Sequence, residues 1–269
     1  MRNLLKVAAL FALLAGVFFS CKKTATQESP AQQDEISQQV LDKIYELGFG
    51  NKNVVRHPEG YLVEGDIVIS NEELTQAVDR KLIRVGEEEQ YRTTRTVTGL
   101  PRTISIRVNS SLPSRYITAV DGAIARYNAL GLLLTFTRVT SGGNIVINPA
   151  PSGAGYLASA GFPTASGNPY GSVLVNRSYL DTWNINTVIS IIAHEVGHCI
   201  GYRHTDYANR AYSCGGSAVN EGQAGVGAIH IPGTPTTNAV AGSWMLACIG
   251  NGVNRPFISS DITALTYLY

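Results

Sequence analysis

His194-Glu195-Val196-Gly197-His198-Cys199-Ile200-Gly201-Tyr202-Arg203-His204 is the stretch on which the rest of the chain is read. Residues four apart on a helix stand one above the other, so His194 and His198 reach a single metal ion from one face. Glu195 sits one residue round, near that ion but free of it. To bring a third ligand back, the chain must leave the helix through a left-handed turn, which glycine adopts without steric penalty. Gly201 stands where that turn is needed, and His204 follows it. Three protein ligands on tetrahedral zinc leave a fourth position for water, which the metal acidifies and a neighbouring carboxylate deprotonates and steers. His194, His198 and His204 are therefore the candidate ligands of one catalytic Zn2+, with Glu195 as candidate general base.

Outward from this stretch, the only methionine besides Met1 is Met245, in Gly242-Ser243-Trp244-Met245, 41 residues after His204. An unbranched thioether packs well beneath an imidazole cluster. The extended histidine motif with a later methionine resembles the metzincin zinc peptidases, and among them the bacterial dual-action HEIGH metallopeptidases most, although Val196 stands where that name has isoleucine. The resemblance implies an α/β (α+β) catalytic domain: a twisted mixed sheet with an antiparallel edge strand, a zinc-bearing helix, a Met-turn at Met245 and a C-terminal helix. It also implies a monomeric zinc metalloendopeptidase acting on peptides or proteins. In it, Glu195 takes a proton from the attacking water and returns it to the leaving amine. Two features depart from better-known subfamilies. Leu246-Ala247 follow Met245 with no tyrosine, so no tyrosine ligand is expected. Thr205-Asp206 rather than glutamate follows His204, so Asp206 is read first as holding its loop and second as the partner of a trimmed N-terminus, as in the astacin scheme.

With 269 residues and 44% hydrophobic content, the chain has room for one or two domains with a sizeable core. A net charge of +1 gives no support for nucleic-acid binding. All six lysines and ten of the twelve glutamates precede position 90, which sets an N-terminal segment apart from a polar, weakly charged remainder. Such a surface suits extracellular proteins.

The first 21 residues run from a basic start (Arg2, Lys6) through an apolar stretch to Ser20-Cys21. This pattern is read as an export signal ending in a bacterial lipoprotein cleavage site, with Cys21 lipidated; Phe18 departs from the usual leucine, and simple secretion is the alternative. Residues 22–34 would then tether the protein to a membrane surface, periplasmic or outer. Three further cysteines in an oxidising compartment suggest one disulfide and one free thiol. Cys214 with Cys248 is the preferred pair, and Cys199, on the histidine helix, is read as a small buried residue.

Residues 35–92 read as a prosegment and 93–269 as the catalytic domain. Within the former, Ile36–Leu47 has helical periodicity, Tyr61–Ile69 reads as an extended segment, and Asn71–Arg80 as a second helix capped by Ser70. Val63-Glu64-Gly65-Asp66-Ile67 resembles the prosegment motif of astacin-type metzincins, with valine in place of the first phenylalanine. That resemblance implies that Asp66 takes the open zinc position and keeps the enzyme latent; a plain turn aspartate is the competing reading. Arg92 and Arg95 are the candidate activation points.

The catalytic half predicts strands over 103–108, 132–140, 144–148 and 172–176, helices over 115–130 and 186–200, and a last helix over 262–267 capped by Ser260-Asp261. Gly155–Pro163 resembles the edge strand above a metzincin cleft. Tyr156, Leu157, Ala158, Ser159 and Ala160 would then pair their free backbone groups with an extended substrate; a surface loop is the other reading. His230 is read first as a surface-loop histidine and second as a cleft residue. Against an enzyme stands a surface lipoprotein that captures peptides on that strand, its zinc site structural or vestigial. An intact Glu195 argues against it.

Overall fold

The computed structural model describes residues 35–47, 49–75, 90–221, 227–236 and 239–269. The expected export signal, Cys21 and the expected tether fall outside them, as do residues 76–80 of the second expected helix.

The N-terminal segment opens with α1 (Gln38–Glu46), whose apolar face buries Ile44. Strands β1 (Val55–His57), β2 (Gly60–Val63) and β3 (Ile67–Ser70) follow as antiparallel neighbours, in register Val55↔Leu62 and Val63↔Ile67. Tyr61–Ile69 is therefore a hairpin and not the single extended segment its alternation suggested. Glu64, at φ 54°, and Gly65, at φ 91°, turn the chain through the left-handed region. Ser70 and Glu73 cap α2 (Asn71–Thr75) reciprocally: Ser70 Oγ accepts the Glu73 N–H at 3.2 Å, and Glu73 Oε2 accepts the Ser70 N–H at 2.8 Å.

The remaining elements are β4 (Tyr91–Arg92), β5 (Arg102–Val108), α3 (Ser114–Asn128), β6 (Leu134–Val139), β7 (Ile145–Pro149), β8 (Ala158–Ala160), β9 (Ser172–Val175), α4 (Arg177–Leu180), α5 (Ile185–Ile200), α6 (Ala211–Cys214), β10 (Ile229–His230) and α7 (Ser259–Leu268). Eight strands form one mixed sheet, ordered β1-β2-β3-β8-β9-β7-β5-β6, and β10 pairs with β4. β6, β5, β7 and β9 run parallel, and β8 is antiparallel to β9. In β5 the period-two pattern buries Ile104 and Ile106 and exposes Thr103. Helices α3 and α5 pack on each other and on the sheet, and the core between them holds Val120, Tyr127, Ile192, Val196, Trp244 and Leu265.

Two expectations change. β8 is antiparallel to β9 as an edge strand should be, but it is not a free edge: β3 pairs with it at Ile67↔Ala160, and Ala160 N–H donates to Asp66 O at 2.9 Å. The N-terminal hairpin extends the sheet because unpaired strand groups are satisfied by any strand within reach. The last helix starts earlier than expected, at Ser259, and Asp261 lies inside its first turn. The Asp261 carboxylate accepts the N–H groups of Ile258 (3.0 Å) and Trp244 (3.2 Å), the Ser243 hydroxyl (2.8 Å) and the Gln90 amide (2.5 Å). It thus ties three distant segments together and caps the helix.

A second, smaller apolar cluster holds Ile44, Leu47, Phe49, Val63, Ile67 and Ile69 from the N-terminal segment, with Phe162 as its one buried residue from the later chain. Among the described residues no helix is long and apolar enough to cross a membrane.

Candidate metal centre

Helix α5 starts where the Asn184 side chain accepts the Asn186 N–H (2.9 Å) and ends at Gly201, at φ 113°. A Cβ on Gly201 would lie 2.6 Å from Arg95 O, so both the backbone angle and the space exclude other residues. The turn lets Tyr202 N–H bond back to Gly197 O (2.9 Å) and swings His204 towards the helix. The three imidazole rings then stand 4.6 Å (His194–His198), 4.9 Å (His198–His204) and 5.3 Å (His194–His204) apart. Met245 is fully buried against the histidine helix: a Cβ on Gly197 would meet its Sδ at 2.5 Å, so the glycine between the two helical histidines makes room for the thioether.

Each imidazole is oriented through Nδ1. His194 donates to Trp244 O (2.8 Å), His198 to Tyr202 O (2.8 Å), and His204 to the Glu221 carboxylate (3.0 and 3.1 Å). A carbonyl or carboxylate oxygen can only accept, so the proton sits on Nδ1 and each Nε2 presents a lone pair. His194 Nε2 and His198 Nε2 are buried without hydrogen-bond partners. Asp66 Oδ2 approaches to 3.1 Å from His204 Nε2 and 3.5 Å from His194 Nε2, and its Oδ1 is buried and unpartnered. One ligand atom from each of these four residues lies within 4.8 Å of the others. Three nitrogen lone pairs and a carboxylate facing one point repel one another unless a cation sits among them, and imidazole with carboxylate is the donor set of a divalent metal such as zinc.

Electrostatics around the cluster follow burial first. Burial, then the Asp66 charge, holds the Glu195 carboxyl well above the usual carboxylate range, and Glu195 Oε2 has no partner among the described residues. Burial alone would also raise Asp66, but the neighbouring imidazoles, His204 first, bring it well below that range.

Around this cluster lies a network with no motif in the sequence to announce it. Arg203 is fully buried and its Nη2 donates to both carboxylate oxygens of Glu64 (2.9 and 2.7 Å), while its guanidinium lies 5.0 Å from the centre of the Phe49 ring. Arg210 Nε meets Glu221 Oε1 at 3.1 Å, and its guanidinium also donates to Glu64 O. Glu221 carried one signal: after position 96 the chain holds only two glutamates, and the other is Glu195. Glu64 stood within the motif at 63–67 read for Asp66, with no role of its own assigned.

A cavity of about 250 Å³ opens beside His194 and Glu195, lined in part by Asp66, Tyr156, Leu157 and Ala158. Ser159 and Ala160 point elsewhere: the Ser159 hydroxyl lies 3.3 Å from His57 Nε2, and Ala160 bonds to Asp66 O. Cys214 and Cys248 are joined by a disulfide, and Cys199 is free and buried. Asp206 accepts the Ala247 N–H (2.9 Å) and the Ser213 hydroxyl (2.5 Å), holding the loop after Met245. His230 lies in β10, with Nε2 2.9 Å from the Thr234 hydroxyl, and does not line the cavity. Arg92 is half-buried in β4, and Arg95 lies 3.6 Å from Glu73, so neither stands in an open loop.

Comparison with solved structures finds two of myroilysin. One is 13% identical, with a TM-score of 0.41 over 65% of this chain and 82% of that one. The other is 12% identical, with a TM-score of 0.40 over 65% of this chain and 86% of its own. Comparison with curated proteins gives no match. The family model of the dual-action HEIGH metallopeptidases matches residues 61–269, a span that takes in the hairpin, the three histidines, Met245 and the closing helix. The chain belongs to the dual-action HEIGH metallopeptidase family.

Proposed function

We propose that the chain is an exported zinc metalloendopeptidase made in latent form, in which His194, His198 and His204 hold one Zn2+, Glu195 is the general base and Asp66 closes the site. The observation that carries this reading is the convergence of three Nε2 atoms, each imidazole oriented from behind, on a point that Asp66 also faces. Zinc in that position supplies a Lewis acid that polarises the scissile carbonyl and acidifies water. Glu195, buried and with Oε2 unpartnered among the described residues, takes a proton from the attacking water and passes it to the leaving amine. Tyr156, Leu157 and Ala158 line the cavity beside it and offer backbone to an extended substrate.

Latency is supported by the way Asp66 is held. Strand β3 pairs with β8, Glu64 is locked to Arg203, and Asp66 reaches the histidines from the turn between β2 and β3. Activation then requires removal of a prosegment, read as residues 35–92, ahead of a catalytic domain at 93–269. Export is supported by the Cys214–Cys248 bridge, which persists in oxidising compartments, and by the N-terminal signal; Cys21 is the proposed lipid anchor, on the periplasmic or outer face of a membrane. A zinc assay with casein hydrolysis before and after limited trypsin treatment tests the reading. Stoichiometric zinc with activity that appears only after trypsin is expected. Zinc-loaded, trimmed protein that binds casein without cutting it would instead favour a peptide-capturing lipoprotein.

A further inference from the structure

One wall of the cavity carries an arginine with no carboxylate at ion-pair distance among the described residues. Arg255 makes no ion pair among the described residues, whereas Arg210, also in the wall, is matched by Glu221. The Arg255 guanidinium donates to two carbonyl oxygens, Leu246 O (3.1 Å) and Cys248 O (2.6 Å), which set its direction and leave its charge whole. Asp206 is the acid that favours that charge, and its oxygens accept from the Ala247 N–H and the Ser213 hydroxyl rather than from the guanidinium. Burial pushes the Arg255 pKa down and Asp206 offsets only part of this, so the half-buried cation gains from any anion that reaches it.

Its position relative to the chemistry is fixed. Arg255 N–H donates to Ser190 Oγ at 2.9 Å, and Ser190 lies one helical turn before His194 on α5. Apart from the metal-site residues Asp66, His194 and Glu195 and from Arg210, the wall includes Leu157, Ile191, Leu246 and Ile249, which suit the methylenes of a side chain with a charged end.

We infer that Arg255 makes this cavity a specificity subsite for an acidic side chain, so that peptide bonds flanked by glutamate or aspartate are cut in preference to others. The inference rests on the peptidase reading above. A carboxylate closes on the guanidinium with charge-assisted hydrogen bonds; the amide of glutamine or asparagine leaves the cation unmatched, and a lysine or arginine side chain is repelled.

The test uses the zinc-loaded full chain after limited trypsin treatment, with casein as a general substrate and a peptide mixture whose cleaved bonds are read by mass spectrometry. Glutamate or aspartate should be enriched at one fixed position beside the cleaved bond. For a peptide pair differing only as glutamate against glutamine at that position, kcat/KM should favour the acid by about tenfold to a hundredfold. In Arg255→Gln that ratio should fall towards one, and in Arg255→Lys much of it should return. Because Arg255 also holds two loop carbonyls, the wild-type ratio stands as evidence even where a variant misfolds. Casein cleavage with no acidic enrichment, or an Arg255→Gln enzyme that slows on both peptides with the ratio kept, overturns the subsite alone. Failure to cut casein at all removes the peptidase reading, and this inference with it.

Discussion

Helix α5 carries His194, Glu195 and His198 into the site by spacing alone, whereas the hairpin β2–β3 brings Glu64 and Asp66 there by pairing with β8 and by contacts to Arg203 and Arg210. The two also differ in what lies behind them. α5 is buried in the main core, with Val188, Ile192, Val196 and Ile200 packed among the residues of α3 and the sheet. The hairpin rests on a small cluster to which the later chain contributes only Phe162 as a buried residue. The helix is held by apolar area; the hairpin, which the proposed function removes on activation, is held by strand pairing, a small apolar cluster and a few directional polar contacts. Phe162 touches both sides, stacked on Phe49 at 6.0 Å and edge-on to His198 at 5.6 Å.

The sharpest way to break this comparison is at Glu195. In trypsin-treated, zinc-loaded protein, Glu195→Gln should cut casein turnover by about 10²- to 10⁴-fold with zinc content unchanged. A matching loss of zinc would make Glu195 part of the metal-holding framework instead. Next in size is Glu64→Ala in the full chain, which strands the buried Arg203 guanidinium and should lower unfolding free energy by about 3–5 kcal/mol in a denaturant titration. A loss under about 1 kcal/mol would mean that Glu221, 3.8 Å from Arg203, takes over the pairing.

Smaller effects probe the metal from each side. Glu221→Gln weakens the acceptor that orients His204 and should raise the zinc Kd by roughly 10- to 100-fold in competition with a chromophoric chelator. An unchanged Kd would leave Glu221 as a partner of the arginines only. Asp66→Ala should raise casein hydrolysis by the untrimmed chain by about tenfold, with little further gain from trypsin. If latency survives that change intact, the hairpin blocks the cleft by its bulk and Asp66 is an ordinary turn residue.

Much of the catalytic half was legible because its signals are local. The alternation at 103–108, the helical period through 115–130 and the capped run to Ile200 each report a backbone preference that neighbouring residues settle among themselves. The histidine cluster belongs to the same class, since four-residue spacing and one glycine suffice to bring the rings together. The Glu64–Arg203 pair spans 139 residues of chain and the His204–Glu221 contact crosses a loop; neither has a period or a motif. The hairpin at Glu64-Gly65-Asp66 was hidden for a different reason, because a strand on each side of a three-residue turn keeps the same apolar alternation as one long strand.

By itself the sequence determined which atoms could bind a metal, on which helix they ride, and why glycine stands at 197 and 201, because helical rise and left-handed backbone angles act over a few residues. Only the tertiary structure decided what faces those atoms: Asp66 on one side, Glu221 behind His204, β3 along β8 and Arg255 in the cavity wall. Those neighbours are chosen by burial and by the need to match buried charges across distant segments, quantities that exist only once the chain has closed on itself.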